Sequence, residues 1–210
     1  MRIPVAVAAG REIDVVGVGQ NTVDHLCVVE RFPAPDSKQR LQTLAVEPGG
    51  QVATALVALA RWGARCAYVG TFGDDEAGAA SRTSLAAEGV DVGHAPVRRG
   101  ERNQLSVILV DSRNGERTVL WHRQPALVLA PDEVPGALIG RARILHVDGA
   151  DAEAAIVGIA WRPPRRVHWS AAAALASRTA ASSSSPASIA EMKPAWNRSP
   201  APVVSTAATA

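Results

Sequence analysis

The string GVGQNT at residues 17–22 is the first in this 210-residue chain whose composition suits chemistry, because it begins like a glycine-rich dinucleotide-binding turn. Thr22 stands where the third glycine belongs, and the residues after it read as a strand, so no helix N-terminus is offered to a phosphate. Cys27 and Cys66 have neither CxxC spacing nor a nearby pair of histidines, and read as buried, reduced thiols. His25, His94, His122, His146 and His168 show no metal-ligand spacing, and His146 lies inside an apolar run as an interior histidine. What remains is a set of polar or flexible residues beside apolar runs: Asp24, Gly49-Gly50, Gln51, Thr54, Asn103, Gln104 and Asp148. A carboxylate in such a set accepts two hydroxyl hydrogens at once, and paired glycines let backbone approach a ligand and a flap swing. Each also has a plain structural reading: Asp24 can finish a strand, Gly49-Gly50 can form a turn, and Thr54 can bond its own helix.

The elements that must position these residues follow from periodicity. Residues 14–19 (DVVGVG), 66–70 (CAYVG) and 143–147 (RILHV) are short apolar runs, as expected of buried strands in an α/β sheet. Residues 51–63 are apolar on nearly every face and end at Gly63, which predicts a buried helix with a glycine stop. Asp74, Asp75 and Glu76 open a second helix that Gly89 closes, with Asp74 as its N-cap. Residues 25–30, 39–46, 97–99, 104–111 and 117–122 alternate polar and apolar side chains, which predicts antiparallel strands with one wet face. The Asn-Gly in DSRNGE signals a hairpin between the last two. Residues 131–140 and 150–156 read as two further helices.

The stretch PGGQVATALVALARWGARCAYVGTFGDDEAG (residues 48–78) resembles the N-terminal signature of PfkB/ribokinase sugar kinases, and GVGQNTVDHL resembles their first strand. The resemblance implies a ribokinase-like three-layer α/β/α sheet over residues 12–156, with a small β-sheet lid around 25–47 and 95–123. It makes Asp24 the carboxylate that binds sugar hydroxyls and Gly49-Gly50 the hinge lining the pocket. Gln51 and Thr54 face the same pocket, and Asp148 is a further polar residue beside the sugar. Arg102 and Trp121 on the lid would help choose among sugars. Thr54 departs from the asparagine usual there, and so loses an amide fork. The implied reaction is ATP-dependent phosphorylation of a sugar hydroxyl, with Mg²⁺ accompanying the nucleotide. The implied partners are a small-molecule sugar and a second copy of the chain paired through lid strands.

The family's catalytic signature resembles DTxGAGD, whose glycines form an anion hole and whose final Asp is the base. No such string occurs in the 210 residues, and no glycine follows Gly158. Catalytic residues are therefore expected to be absent, leaving an inactive chain, a non-catalytic sugar-binding or dimerising module, or a non-functional product. Composition changes at the same point. Residues 1–156 carry 16 Lys/Arg and 19 Asp/Glu, a net of −3, whereas residues 157–210 carry 6 and 1, a net of +5. In residues 170–210, 23 of 41 are Ala or Ser, which predicts a disordered tail and fits a reading-frame shift near 156–160 in a GC-rich gene. The basic pI belongs to that tail and argues for no nucleic-acid-binding face. The acidic pair Glu12 and Asp14 after a short apolar start, and the lack of a ~20-residue apolar run, point to a cytoplasmic protein with no membrane partner.

Overall fold

The computed structural model describes residues 12–161 and the backbone of 168–169. Strand β1 (Ile13–Val18) runs into an excursion of two strands, β2 (Thr22–Val29) and β3 (Thr43–Gly49). Helix α1 (Gln51–Arg61) then returns the chain to β4 (Cys66–Val69). After the short β5 (Phe72–Gly73) come helix α2 (Glu76–Ala87), β6 (Val97–Arg98) and the hairpin of β7 (Leu105–Asp111) and β8 (Arg117–His122). Two 3₁₀ turns lead to α3 (Gly136–Arg141), β9 (Ala142–Val147), α4 (Ala152–Ala160) and β10 (His168–Trp169).

The central sheet has the order β10-β9-β1-β4, and each neighbouring pair is parallel. Such a sheet must be covered on both faces, which is why its strands are apolar runs without strict alternation. Val16, Val18, Leu145 and Val147 are buried with Ile139 of α3 and Ala154 and Ala155 of α4. Val15, Cys66 and Tyr68 are buried with Val52 and Leu56 of α1 and Leu85 of α2. A Cβ at Gly17 would lie 2.6 Å from Val52 Cγ1 and 2.8 Å from Leu56 Cδ1, so α1 packs this close only over a glycine. The three-layer α/β/α arrangement is the one expected. Cys27 and Cys66 are buried and unbridged, and burial pushes the Cys66 thiol up to about 11.

The lid is a second sheet, β3-β2-β7-β8, and it differs from expectation in two ways. It is mixed: β2 pairs antiparallel with β3 but parallel with β7. Strands joined by a hairpin must run antiparallel, but β2 and β7 are joined through the core, which frees their direction. It is also wet on more than one face, since β8 is exposed at all six positions and β3 is buried only at Gly49. The Asn-Gly hairpin forms, but as a four-residue loop. Asp111 donates its N–H to Glu116 O at 2.9 Å, and within the loop only Gly115 takes positive φ, at 73°.

Three further expectations are corrected. The N-cap of α2 is Asp75, whose Oδ1 accepts from Gly78 N at 2.9 Å. Asp74 instead accepts from Gly100 N at 3.3 Å and ties down a neighbouring turn. Regular structure continues past Ile156, because α4 runs to Ala160 and β10 pairs with β9 through His168 and Trp169. Residues 131–140 divide into a 3₁₀ turn at Pro131–Glu133 and α3, interrupted by Pro135. The rest of the tail predicted to be disordered lies outside the described residues. Among those residues no helix is long and apolar enough to cross a membrane.

Candidate functional site

Strand order reverses at β1, which leads to β4 on one side and lies beside β9 on the other. Ligands of open α/β sheets bind outside the carboxyl ends of strands at such a switch point. Gln20 follows β1 there, Asp148-Gly149 follows β9, and the lid rises from the same place. Between lid and core lies a cleft of about 1050 Å³.

Period-2 geometry decides which lid residues face it. Asp24 is paired with Ser106 and Ser106 with Trp121, so these three side chains share one sheet face, and all three line the cleft. Ile108 and Val119, paired two positions further along, line it too. From the core side α1 presents Gln51, Thr54, Ala55 and Ala58, spaced to share one helix face.

The sequence-predicted residues converge here. Asp24, Gly50, Gln51, Thr54 and Asp148 all line the cleft. Gly49 does not line it but makes room for Asp24: a Cβ at 49 would sit 2.2 Å from Asp24 Oδ2. Gly50 begins α1 at φ 103°, and a Cβ there would meet Gln20 O and Asn21 Cα at 2.6 Å. Only glycine satisfies both the dihedral and the close approach. The Oδ1 atom of Asp24 is buried and has no hydrogen-bond partner, an unusual state for a carboxylate oxygen.

Asp148 is held differently. Its Oδ1 accepts from Ala150 N at 2.9 Å and its Oδ2 from Gln20 N at 3.0 Å, clamping the two loops that form the cleft floor. Burial pushes this carboxyl above the usual carboxylate range, against those two N–H groups. Asn103 lies off the cleft at the centre of a buried network. It donates to Asn21 Oδ1 at 3.0 Å and accepts from Gly73 N at 3.0 Å, while Asn21 donates to the Tyr68 hydroxyl at 2.8 Å. That network fastens lid to core. Arg102 is not part of the lining; its N–H goes to Gln124 Oε1 at 2.7 Å.

Residues 12–185 match the family model described as pfkB family carbohydrate kinase. The chain belongs to that family. Its match runs beyond residue 156, where the sequence pattern alone placed the boundary. Fructokinase-1 of Zea mays is 33% identical over 141 residues, covering 66% of this chain and 42% of that protein. A fructokinase of Klebsiella pneumoniae is 36% identical over 115 residues, covering 54% and 36%. A ribokinase structure from Thermotoga maritima superposes with a TM-score of 0.64 at 20% identity, over 75% of this chain and 52% of that one. The fructokinase with bound ATP from Xylella fastidiosa gives 0.55 at 24% identity, over 69% and 46%. At those identities the two structures establish the fold alone. The chain spans about 40% of the length of the curated relatives it matches.

Several PfkB cleft residues were not singled out from sequence. Gln20 lines the floor, and its main-chain N–H is what Asp148 holds. Its place directly after the first apolar strand was the available signal. Thr22 and Ser106 had none beyond alternation. Arg123 also lines the cleft, where it is ion-paired with the buried Asp151 at 2.8 Å. Its partner lies 28 residues away in sequence, so no local pattern marks it.

Proposed function

We propose that this chain is the sugar-binding half of a carbohydrate kinase and binds a free sugar in the cleft between lid and core. The observation that carries this reading is Asp24 Oδ1, a buried acceptor without a partner on a carboxylate to which Gly49 gives room. A buried carboxylate oxygen in that state is satisfied by a ligand hydroxyl, and a ligand lacking the hydroxyl leaves the charge unpaired. Similarity to fructokinases makes D-fructose the first sugar to test, and the resemblance of residues 48–78 to PfkB/ribokinase sugar kinases adds D-ribose.

The whole reaction we assign to the family is transfer of the ATP γ-phosphoryl group to a sugar hydroxyl, with Mg²⁺ accompanying the nucleotide. The described residues do not fit ATP and its metal. The 210 residues hold no DTxGAGD-like string. In the cleft Arg123 is committed to Asp151, and among the described residues no three His, Cys, Asp or Glu side chains converge. We therefore assign this chain binding without turnover. Asp24 and Gly50 hold the sugar, Gly49 gives Asp24 its room, Gln51 and Thr54 flank the sugar from α1, and Asp148 fixes the loops beneath it.

The test is calorimetric titration of the 210-residue chain with each sugar, alongside Asp24→Asn. The expected result is saturable binding of one sugar, weakened roughly 10- to 100-fold by Asp24→Asn with the fold intact. Absence of sugar binding by the folded wild-type chain would overturn the reading.

A second reading concerns the lid's other face, where Leu44, Val46 and Leu120 are exposed on the side opposite the cleft. We read that apolar face as the surface through which two copies pair, and sedimentation of the 210-residue chain tests it. A chain that remains monomeric at all concentrations removes this reading.

A further inference from the structure

Gln104 carries a second buried acceptor without a partner, its side-chain Oε1. The residue is 6% exposed and its main chain is fixed. Its carbonyl accepts from Val23 N at 3.0 Å, Thr22 Oγ1 at 3.3 Å and Asn103 Nδ2 at 3.3 Å. Its Nε2 donates to Gln20 Oε1 at 2.7 Å, and the N–H of Gln20 is held by Asp148 Oδ2 at 3.0 Å. Asp148 thus fixes the main chain of Gln20, the Gln20 side chain engages the nitrogen end of the Gln104 amide, and Gln104 lines the cleft.

The register places that oxygen beside the site already described. Asp24 pairs with Ser106 across β2 and β7, and Gln104, just before β7, lies two residues from Ser106. Both unpartnered acceptors, Asp24 Oδ1 and Gln104 Oε1, belong to residues lining one cleft. A buried polar group in that state is expected to meet a partner, and an amide oxygen needs a donor. One acceptor asks for one ligand hydroxyl; two ask for a ligand carrying two.

We propose that Gln104 is a specificity-determining residue of this site: its Oε1 accepts a second hydroxyl of the sugar that Asp24 binds, and Gln20 and Asp148 are the residues that position its amide. The inference rests on the sugar-binding reading above. It makes the ligand at least a diol, and makes the site reject analogues in which either hydroxyl is removed or replaced by fluorine, since fluorine cannot donate.

The experiment titrates the wild-type 210-residue chain and Gln104→Met by calorimetry with whichever of D-fructose and D-ribose binds, and with that sugar's monodeoxy and monofluoro analogues. Wild type is expected to lose roughly 10- to 100-fold in affinity at two hydroxyl positions. Gln104→Met should bind the parent sugar about as weakly as wild type binds one of those analogues, and lose discrimination at that position alone. Gln104→Glu keeps an acceptor and should restore it. Should Gln104→Met fail to fold, Gln20→Met carries the same test, because it removes the amide's anchor and should blur discrimination at the same hydroxyl. Uniform weakening toward every analogue, or unchanged discrimination, overturns the assignment. The two readings separate cleanly. If wild type binds neither sugar, the sugar site falls and this inference with it. If Asp24→Asn abolishes binding but Gln104→Met leaves discrimination intact, only the Gln104 assignment falls.

Discussion

The central sheet and the lid solve different problems, the first with the shorter strands. In the central sheet β4 is buried at all four positions, and β1 at its last four. Its polar neighbours are matched: Asn21 donates to both the Tyr68 hydroxyl and Thr71 O, and Tyr68 donates to Gly19 O. The lid buries little, with β8 exposed throughout. It is held to the core by backbone pairing at its root and by one polar network around Asn103. The cleft-lining acceptors without partners, Asp24 Oδ1 and Gln104 Oε1, lie at the lid's root, where the two regimes meet. Burial fixes the platform, and incomplete burial leaves polar atoms free to recognise a ligand.

The difference breaks most sharply in the core. Leu145 is fully buried among Val16, Ile139 and Ala154. Leu145→Ala should cost about 2–5 kcal/mol through lost transfer energy and a cavity between sheet and helices. A loss of unfolding free energy, measured in urea, of less than a quarter of that cost would mean the core is looser than its packing indicates. The next largest effect belongs to the junction. Asn103→Ala strands Asn21 Oδ1 and Gly73 N in a buried setting, at about 1–3 kcal/mol. Here the location of the loss matters more than its size. Amide exchange should rise in β7 and β2 while β1 and β9 stay protected, and equal acceleration in both sheets would show that lid and core unfold as one.

How much of this was legible beforehand follows the same division. The core strands and α1 were readable because burial on both faces leaves unbroken apolar runs, and Gly63 and Gly89 do follow their helices at φ 86° and 80°. Asp24, Gly50, Gln51, Thr54 and Asp148, which the resemblance to PfkB sugar kinases put at the sugar, all line the cleft. The lid's pairing was not. β2 meets β7 across some 80 residues, and alternation gives the face of a strand but not its partner or direction. Asn103 and Gln104 are adjacent polar residues that look alike in sequence. One is the buried fastening of the lid and the other lines the cleft, a distinction set by Asn21, Gly73 and Gln20 arriving from elsewhere in the chain. The end of α4 was placed too early, at Ile156: the helix runs on to Ala160, directly before Trp161-Arg162-Pro163-Pro164.

The smallest effect tests whether the lid tip behaves as a separate unit. Asp111 accepts from Arg113 N at 3.0 Å, Nε at 3.0 Å and Nη2 at 2.7 Å, across the hairpin loop. The Arg113 side chain, more than the backbone N–H, holds the Asp111 carboxyl down at about 2, below its ordinary 3.8. A carboxyl whose folded pKa is depressed contributes stability above its unfolded pKa and loses it as pH falls through the folded one. The contribution is therefore complete above about pH 5 and fades between about 4 and 2. Arg113→Met should speed exchange of the Gly115 amide, which donates to Asp111 O at 2.8 Å, at neutral pH. The gap between variant and wild type should close as the pH approaches 2, after correction for intrinsic exchange. The global midpoint should barely move, because Arg113 is largely exposed and an exposed pair adds little. A gap that persists at pH 2 would mean that Arg113 orders the loop independently of the Asp111 charge, and a large shift in the global midpoint would mean the lid tip is coupled to the core after all.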